Sequence, residues 1–166
     1  MRRVTAAISI ALAALLPGLR AQAGEKKIHE GDVPKPVIEA VKRKYPDARM
    51  TYFEHETEDG QSIFEIGLKR PSEKMEIELS PDGKILEEAV VIQVRDLPAE
   101  VKRGLAGSKY VKSTIKHIER VIVLEETDAP NYEVLVADDG GVTELVIDKA
   151  GVITNEDPKG GEEDDD

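Results

Sequence analysis

Cysteine and tryptophan are absent from this sequence, and aromatic residues make up only 4% of its 166 positions. Without cysteine there is no disulfide, no thiolate zinc site and no cysteine nucleophile, so the core has to hold by packing alone. A chain of this length can manage that. The sparse aromatics leave little for a base-stacking platform or a tryptophan-rich interface. Positive charge is also short, with 23 Lys and Arg against 34 Asp and Glu and a formal net charge of −11. That excludes a general nucleic-acid binder, whose affinity comes from basic residues meeting phosphates, and it disfavours anionic membrane surfaces. Basic protein partners and cations stay open.

Long hydrophobic runs are scarce too. The one present, Val4 to Leu16, follows Arg2 and Arg3 and is interrupted only by Thr5 and Ser9. It falls short of the roughly 20 residues that span a bilayer and suits a signal-peptide core. Pro17 and Gly18 break it, and Ala21-Gln22-Ala23 forms an A-x-A cleavage site. Residues 1–23 therefore read as a signal peptide, cut after Ala23. The mature chain is expected to start at Gly24, to be periplasmic or secreted, and to have no membrane contact after cleavage. Arg2, Arg3 and Arg20 leave with the signal, so the mature chain is more acidic still.

Beyond a polar lead-in over 24–31, Pro34 and Pro36 open a helix whose Val37, Val41 and Tyr45 fall at i, i+4 and i+8. That spacing makes one apolar stripe, and Pro46 ends it. Strand patterns follow. Phe64, Ile66 and Leu68 alternate, as do Met75, Ile77 and Leu79 with Glu76 and Glu78 between them. Such period-two alternation predicts half-buried strands. Pro81-Asp82-Gly83 reads as a hairpin turn and Lys84 to Val94 as the return strand.

The order then recurs. Asp96-Leu97-Pro98 resembles Asp32-Val33-Pro34, and Val101 and Leu105 match Val37 and Val41. Gly104 and Gly107 predict a short, weak second helix. Tyr132, Val134 and Val136 alternate, as do Thr143, Leu145 and Ile147, and Gly151 leads into a last short strand. The expected fold class is therefore α+β: two repeats, each one helix packed on an antiparallel four-stranded β-meander, over 32–94 and 95–156. A disordered acidic tail is expected over 157–166.

Two segments carry a family resemblance. One runs Tyr132-Glu133-Val134 with Glu144 to Ile153, the other Phe64-Glu65-Ile66 with Glu76 to Ile85. A Y-E-V strand, a charged alternating strand and an Asp-x-x-Gly hairpin after a Pro-led helix resemble the PepSY domain pattern. Two such units in an exported chain look like the PepSY-like group related to β-lactamase-inhibitor-like proteins. Ser80 stands where the pattern has Asp, so the first copy is the poorer match. The resemblance implies an exported, non-enzymatic module that binds proteins or peptides, or restrains a peptidase, and it offers no catalytic residue and no cofactor.

The residues themselves suggest little chemistry. His29, His55 and His117 have no metal-ligand spacing, and no G-x-S-x-G or phosphate-loop order occurs. Asp138-Asp139-Gly140 is better read as a hairpin turn than as a calcium loop, which needs six or more oxygens at set positions. The acidic strand positions stand out more. Glu65, Glu76, Glu78, Glu133, Glu144, Val146 and Asp148 lie out of phase with the apolar residues and should share an outer sheet face. A solvated face that keeps the protein soluble is one explanation. The other is a contact surface for an unidentified exported protein or peptide with a basic surface, or, as the alternative, for weakly held cations or a small ligand.

Overall fold

In a computed structural model, residues 26–58, 60–124 and 129–159 are described. The export signal with Ala21 and Ala23, and residues 160–166 of the expected tail, lie outside them. The strands are β1 (Lys26–Lys27), β2 (Arg49–Glu58), β3 (Gln61–Arg70), β4 (Glu73–Leu79), β5 (Ile85–Val91), β6 (Thr114–Val123), β7 (Asn131–Asp138), β8 (Gly141–Ile147) and β9 (Ile153–Lys159). The helices are α1 (Lys35–Lys44), before β2, and α2 (Ala99–Ala106), between β5 and β6. A 3-10 turn precedes each helix, Glu30–Asp32 and Val94–Asp96.

The expectation of two repeats, each with its own four-stranded sheet, is corrected. All nine strands of the described residues belong to one antiparallel sheet in sequence order, so the described chain is mostly β with two helices. What joins the halves is the pairing of β5 with β6, where Glu87 to Val91 face Val123 to Glu119. β1 adds a short edge strand from the lead-in, with Lys26 opposite His55. β9 runs to Lys159, so the last strand is longer than the sequence suggests and takes in the start of the expected tail.

Both helices pack on the same face of the sheet. Val37, Ala40 and Val41 of α1 join Phe64, Ile66, Leu68, Met75, Ile77 and Leu79 in one apolar cluster. Leu97 and Val101 join Tyr132, Val134, Val136, Leu145 and Ile147 in a second. β3, β4, β7 and β8 give every other residue to these clusters, which is why their apolar residues alternate. Lys42, Arg43 and Lys44 close α1, where cations oppose the helix dipole.

Gly104 has a different meaning from the one expected. A Cβ there would stand 1.9 Å from the carbonyl oxygen of Gly151. The glycine lets the turn between β8 and β9 close onto α2. Gly151 in turn has φ +86°, and its own Cβ would stand 2.2 Å from the carbonyl oxygen of Glu100. Asp148 holds this turn: its Oδ1 accepts hydrogen bonds from the Ala150 and Val152 amides, each 2.9 Å. Asp148 is thus a turn-capping residue, half-buried at the end of β8.

Candidate functional site

The register of the sheet sets the opposite face. Glu54 on β2 stands opposite Glu65 on β3, Glu65 opposite Glu78 on β4, and Glu78 opposite Glu87 on β5. Four glutamates thus run straight across four strands, each about 4.8 Å from the next strand. Glu76 lies two residues from Glu78, between Gly67 and Ala89. On the other half of the sheet Glu119 faces Glu133, and Glu144 faces Leu135 and Asp157. The result is a band of carboxylates from β2 to β8.

All eight of these glutamates are buried, between 0 and 5% exposed. The sequence pattern brings Glu65, Glu76, Glu78, Glu133 and Glu144 to one face, as expected, but that face is not a solvated one. Val146 also lies on it, opposite Glu133, and is half-buried. Ala89, Val121 and Leu135 are buried among the acids. Neither helix lies on this face, since both are committed to the apolar clusters on the other. Glu54, Glu87 and Glu119 join the band without having been singled out by sequence.

Opposed like charges repel, and burial penalises each charge further. Burial, then repulsion from Glu76, lifts the Glu65 carboxyl to about 10. Burial and the nearby Glu78 and Glu133 do the same to Glu87, also to about 10. Glu76 rises to about 8 through burial and Glu119. Glu133 is pushed well above the usual range by burial and by Glu144. Glu65 and Glu87 are therefore neutral at pH 7, and Glu76 is mostly so. Tyr52 donates a hydrogen bond to Glu65 Oε1, and its hydroxyl is held protonated by burial and these neighbours.

Cations also reach this face, beginning with Lys27 on β1, opposite Glu54. Lys159 reaches in from β9, with Nζ 2.9 Å from Glu144 Oε2 and 2.7 Å from Asp157 Oδ2. Burial alone would lower its pKa, but the two carboxylates outweigh it and the net shift is upward. His117 Nε2 lies 3.1 Å from Glu119 Oε1. Among the described residues, Oε2 of Glu76, Glu87 and Glu133 has no hydrogen-bond partner. No group of three or more His, Asp or Glu side chains among them could hold a metal ion.

At the β1–β2 edge the band meets an open cleft of about 310 Å³ beside Tyr52, Glu54 and His29. His55 lies on the helix face, its ring stacked on Phe64 at 4.8 Å between centroids. No described helix is long and apolar enough to cross a membrane.

No protein-family model matches the chain, and no curated protein matches it. Its fold is shared with solved structures. A protein of Bacteroides eggerthii, provisionally described as periplasmic, superposes with a TM-score of 0.66 at 15% identity, over 76% of this chain and 88% of that one. A BLIP-like protein of Bacteroides fragilis gives 0.60 at 18% identity, over 78% and 90%. A DUF2874 family protein of Bacteroides ovatus gives 0.63 at 14%, over 77% and 89%. The likeness is one of fold.

Proposed function

We propose that this chain is an exported, non-enzymatic protein- or peptide-binding module whose contact surface is the carboxylate-lined face of its sheet. The observation that carries the reading is the band of eight buried glutamates on the face that neither helix occupies. Burying so many acids is costly unless something complements them. A face kept only for solubility would leave its acids in water. The A-x-A site at Ala21–Ala23 and a fold shared with a protein provisionally described as periplasmic support export. The PepSY-like pattern and the BLIP-like fold neighbour support binding of another exported protein, with inhibition of a peptidase by blocking access as the specific form.

The test is affinity capture. The protein recovered after export is immobilised and offered its own organism's exported proteins at low and high salt. One partner, released by salt and lost in a Glu78→Gln, Glu87→Gln variant, is the expected result. A blank, or a partner that the variant retains equally well, overturns the reading.

A further inference from the structure

We infer that the helix-bearing face of the sheet carries a docking site of its own, a trough between α1 and α2 that takes one amphipathic helix of a partner, with a glutamate or aspartate in its apolar stripe set against Arg120. The site lies on the opposite side from the carboxylate band and does not rest on the reading of that band.

The trough follows from where the two helices sit. α1 packs over β3 and β4, and α2 over β7 and β8. In the strand order the midlines of these pairs are four spacings apart, about 19 Å at about 4.8 Å per strand. β5 and β6 form the floor between them.

That floor is apolar and uncovered. Ile122 and Leu124 stand in phase with Ile118, which packs under α2, so they share the helix face. Ile122 is half-buried and belongs to neither apolar cluster, and Leu124 is 40% exposed. Val90 of β5 is half-buried on the same face, opposite Arg120 of β6. Arg120 is half-buried too, and among the described residues its guanidinium has no ion-pair or hydrogen-bond partner. Glu88, two residues along β5 from Val90, is held by Lys44 of α1. The chain carries 34 acidic residues against 23 basic ones, so an arginine without an acid is an exception within it. A guanidinium placed there suits a carboxylate brought from outside, which it can grip with two parallel hydrogen bonds.

Spacing chooses the occupant. A segment lying midway stands about 9.5 Å from each helix axis, inside the range of about 8–10 Å for packed helices. A helix therefore touches both neighbours, whereas a thinner extended segment would leave gaps beside it. Its apolar stripe, recurring every three or four residues, covers Val90, Ile122 and Leu124. A second copy of this chain does not supply that stripe, because both of its helices bury theirs in its own clusters.

The experiment titrates the exported protein into a labelled synthetic peptide of about 16 residues, an amphipathic helix with leucine along one face and one glutamate at the centre of that face. Binding is read by fluorescence anisotropy. The controls are the same peptide with lysine in place of the glutamate, and a peptide of the same composition in scrambled order. The expected result is that the glutamate helix binds at least about tenfold more tightly than either control. Arg120→Glu should reverse the preference in favour of the lysine helix. Arg120→Gln, which removes the charge more gently, should abolish the preference and serves where Arg120→Glu does not fold. Leu124→Ser, at a position already exposed, should weaken the glutamate helix without lowering the melting temperature. Glu65→Gln with Glu87→Gln, on the other face, should leave its affinity unchanged. Absence of binding, equal binding of the scrambled peptide, a preference that survives Arg120→Gln, or loss of binding in the Glu65→Gln, Glu87→Gln variant each overturns the inference. Affinity capture through the carboxylate band uses the opposite face, so either result can fail while the other stands.

Discussion

The ring of Tyr52 lies over Gly67, its cross-strand partner, so closely that a Cβ on Gly67 would fall 2.0 Å from the tyrosine Cε1. The glycine gives the ring a place on the sheet, and the ring carries its hydroxyl to Glu65 on the same neighbouring strand. An aromatic covering a strand glycine also replaces packing that the glycine lacks. Gly67→Ala should expel the ring from this position. The expected cost is about 1–3 kcal/mol, read from denaturant unfolding, because an added methyl displaces a ring that is hydrogen-bonded to Glu65. Gly67→Ala in a Tyr52→Ala background should cost far less, and equal costs in the two backgrounds would show that the contact does not matter.

Gly151 makes a sharper case. It combines φ +86° with a backbone carbonyl 2.2 Å from where a Cβ would stand. Gly141 has φ +117° and nothing within 4 Å. Gly141→Ala should therefore cost only its backbone strain, about 1–2 kcal/mol. Gly151→Ala should cost clearly more and loosen α2, since the turn must lift off Glu100. Thermal melts of the two variants side by side decide it; equal losses would mean that the turn is free to move.

The buried acids predict an inverted response to pH. In the folded chain Glu76 is lifted to about 8 and Glu65 and Glu87 to about 10, from the 4.5 of an unhindered glutamate. Between those values the folded state holds protons that the unfolded state has released, so stability falls as pH rises. It is greatest with respect to these groups below about 4.5 and is lost progressively through about 8 and then about 10. Melting temperature should fall by at least about 5 °C between about pH 5 and about pH 9. Glu87→Gln should flatten that slope and raise the melting temperature on the alkaline side, since it keeps the shape of the neutral acid without the charge to deprotonate. A melting temperature that climbs with pH over this window would refute the placement of these carboxyls.

Much of the fold is legible in the residues themselves. Period-two alternation marks β3, β4, β7 and β8, and the Pro-led stripe of Val37 and Val41 marks α1. The single sheet is not legible, because the pairing that makes it, β5 with β6, joins strands separated by a helix, and no local pattern records such a partner. The candidate face is half legible. Glu65, Glu76, Glu78, Glu133 and Glu144 sit out of phase with apolar neighbours, and that phase puts them together. Glu87 hides behind a bulge: the register shifts between Glu78 and Leu79, so Leu86 is the extra residue and the alternation in β5 slips by one. Glu119 hides similarly behind the irregularity between Ile115 and His117. Burial itself could not be read, since an alternating Glu looks the same whether it faces water or a row of other acids. Gly104 looked like a weak point in a helix because its partner, Gly151, is distant in sequence.

A sheet of nine strands in an open meander has two free borders, and they are defended unequally. β9 carries Glu156, Asp157 and Pro158, so a strand arriving there meets like charge and a residue with no amide proton to share. Among the described residues, β1 pairs with β2 only at Lys26 and Lys27. Elongation of the sheet, whether by a guest strand or by runaway stacking of copies, is thus steered to the amino-terminal border.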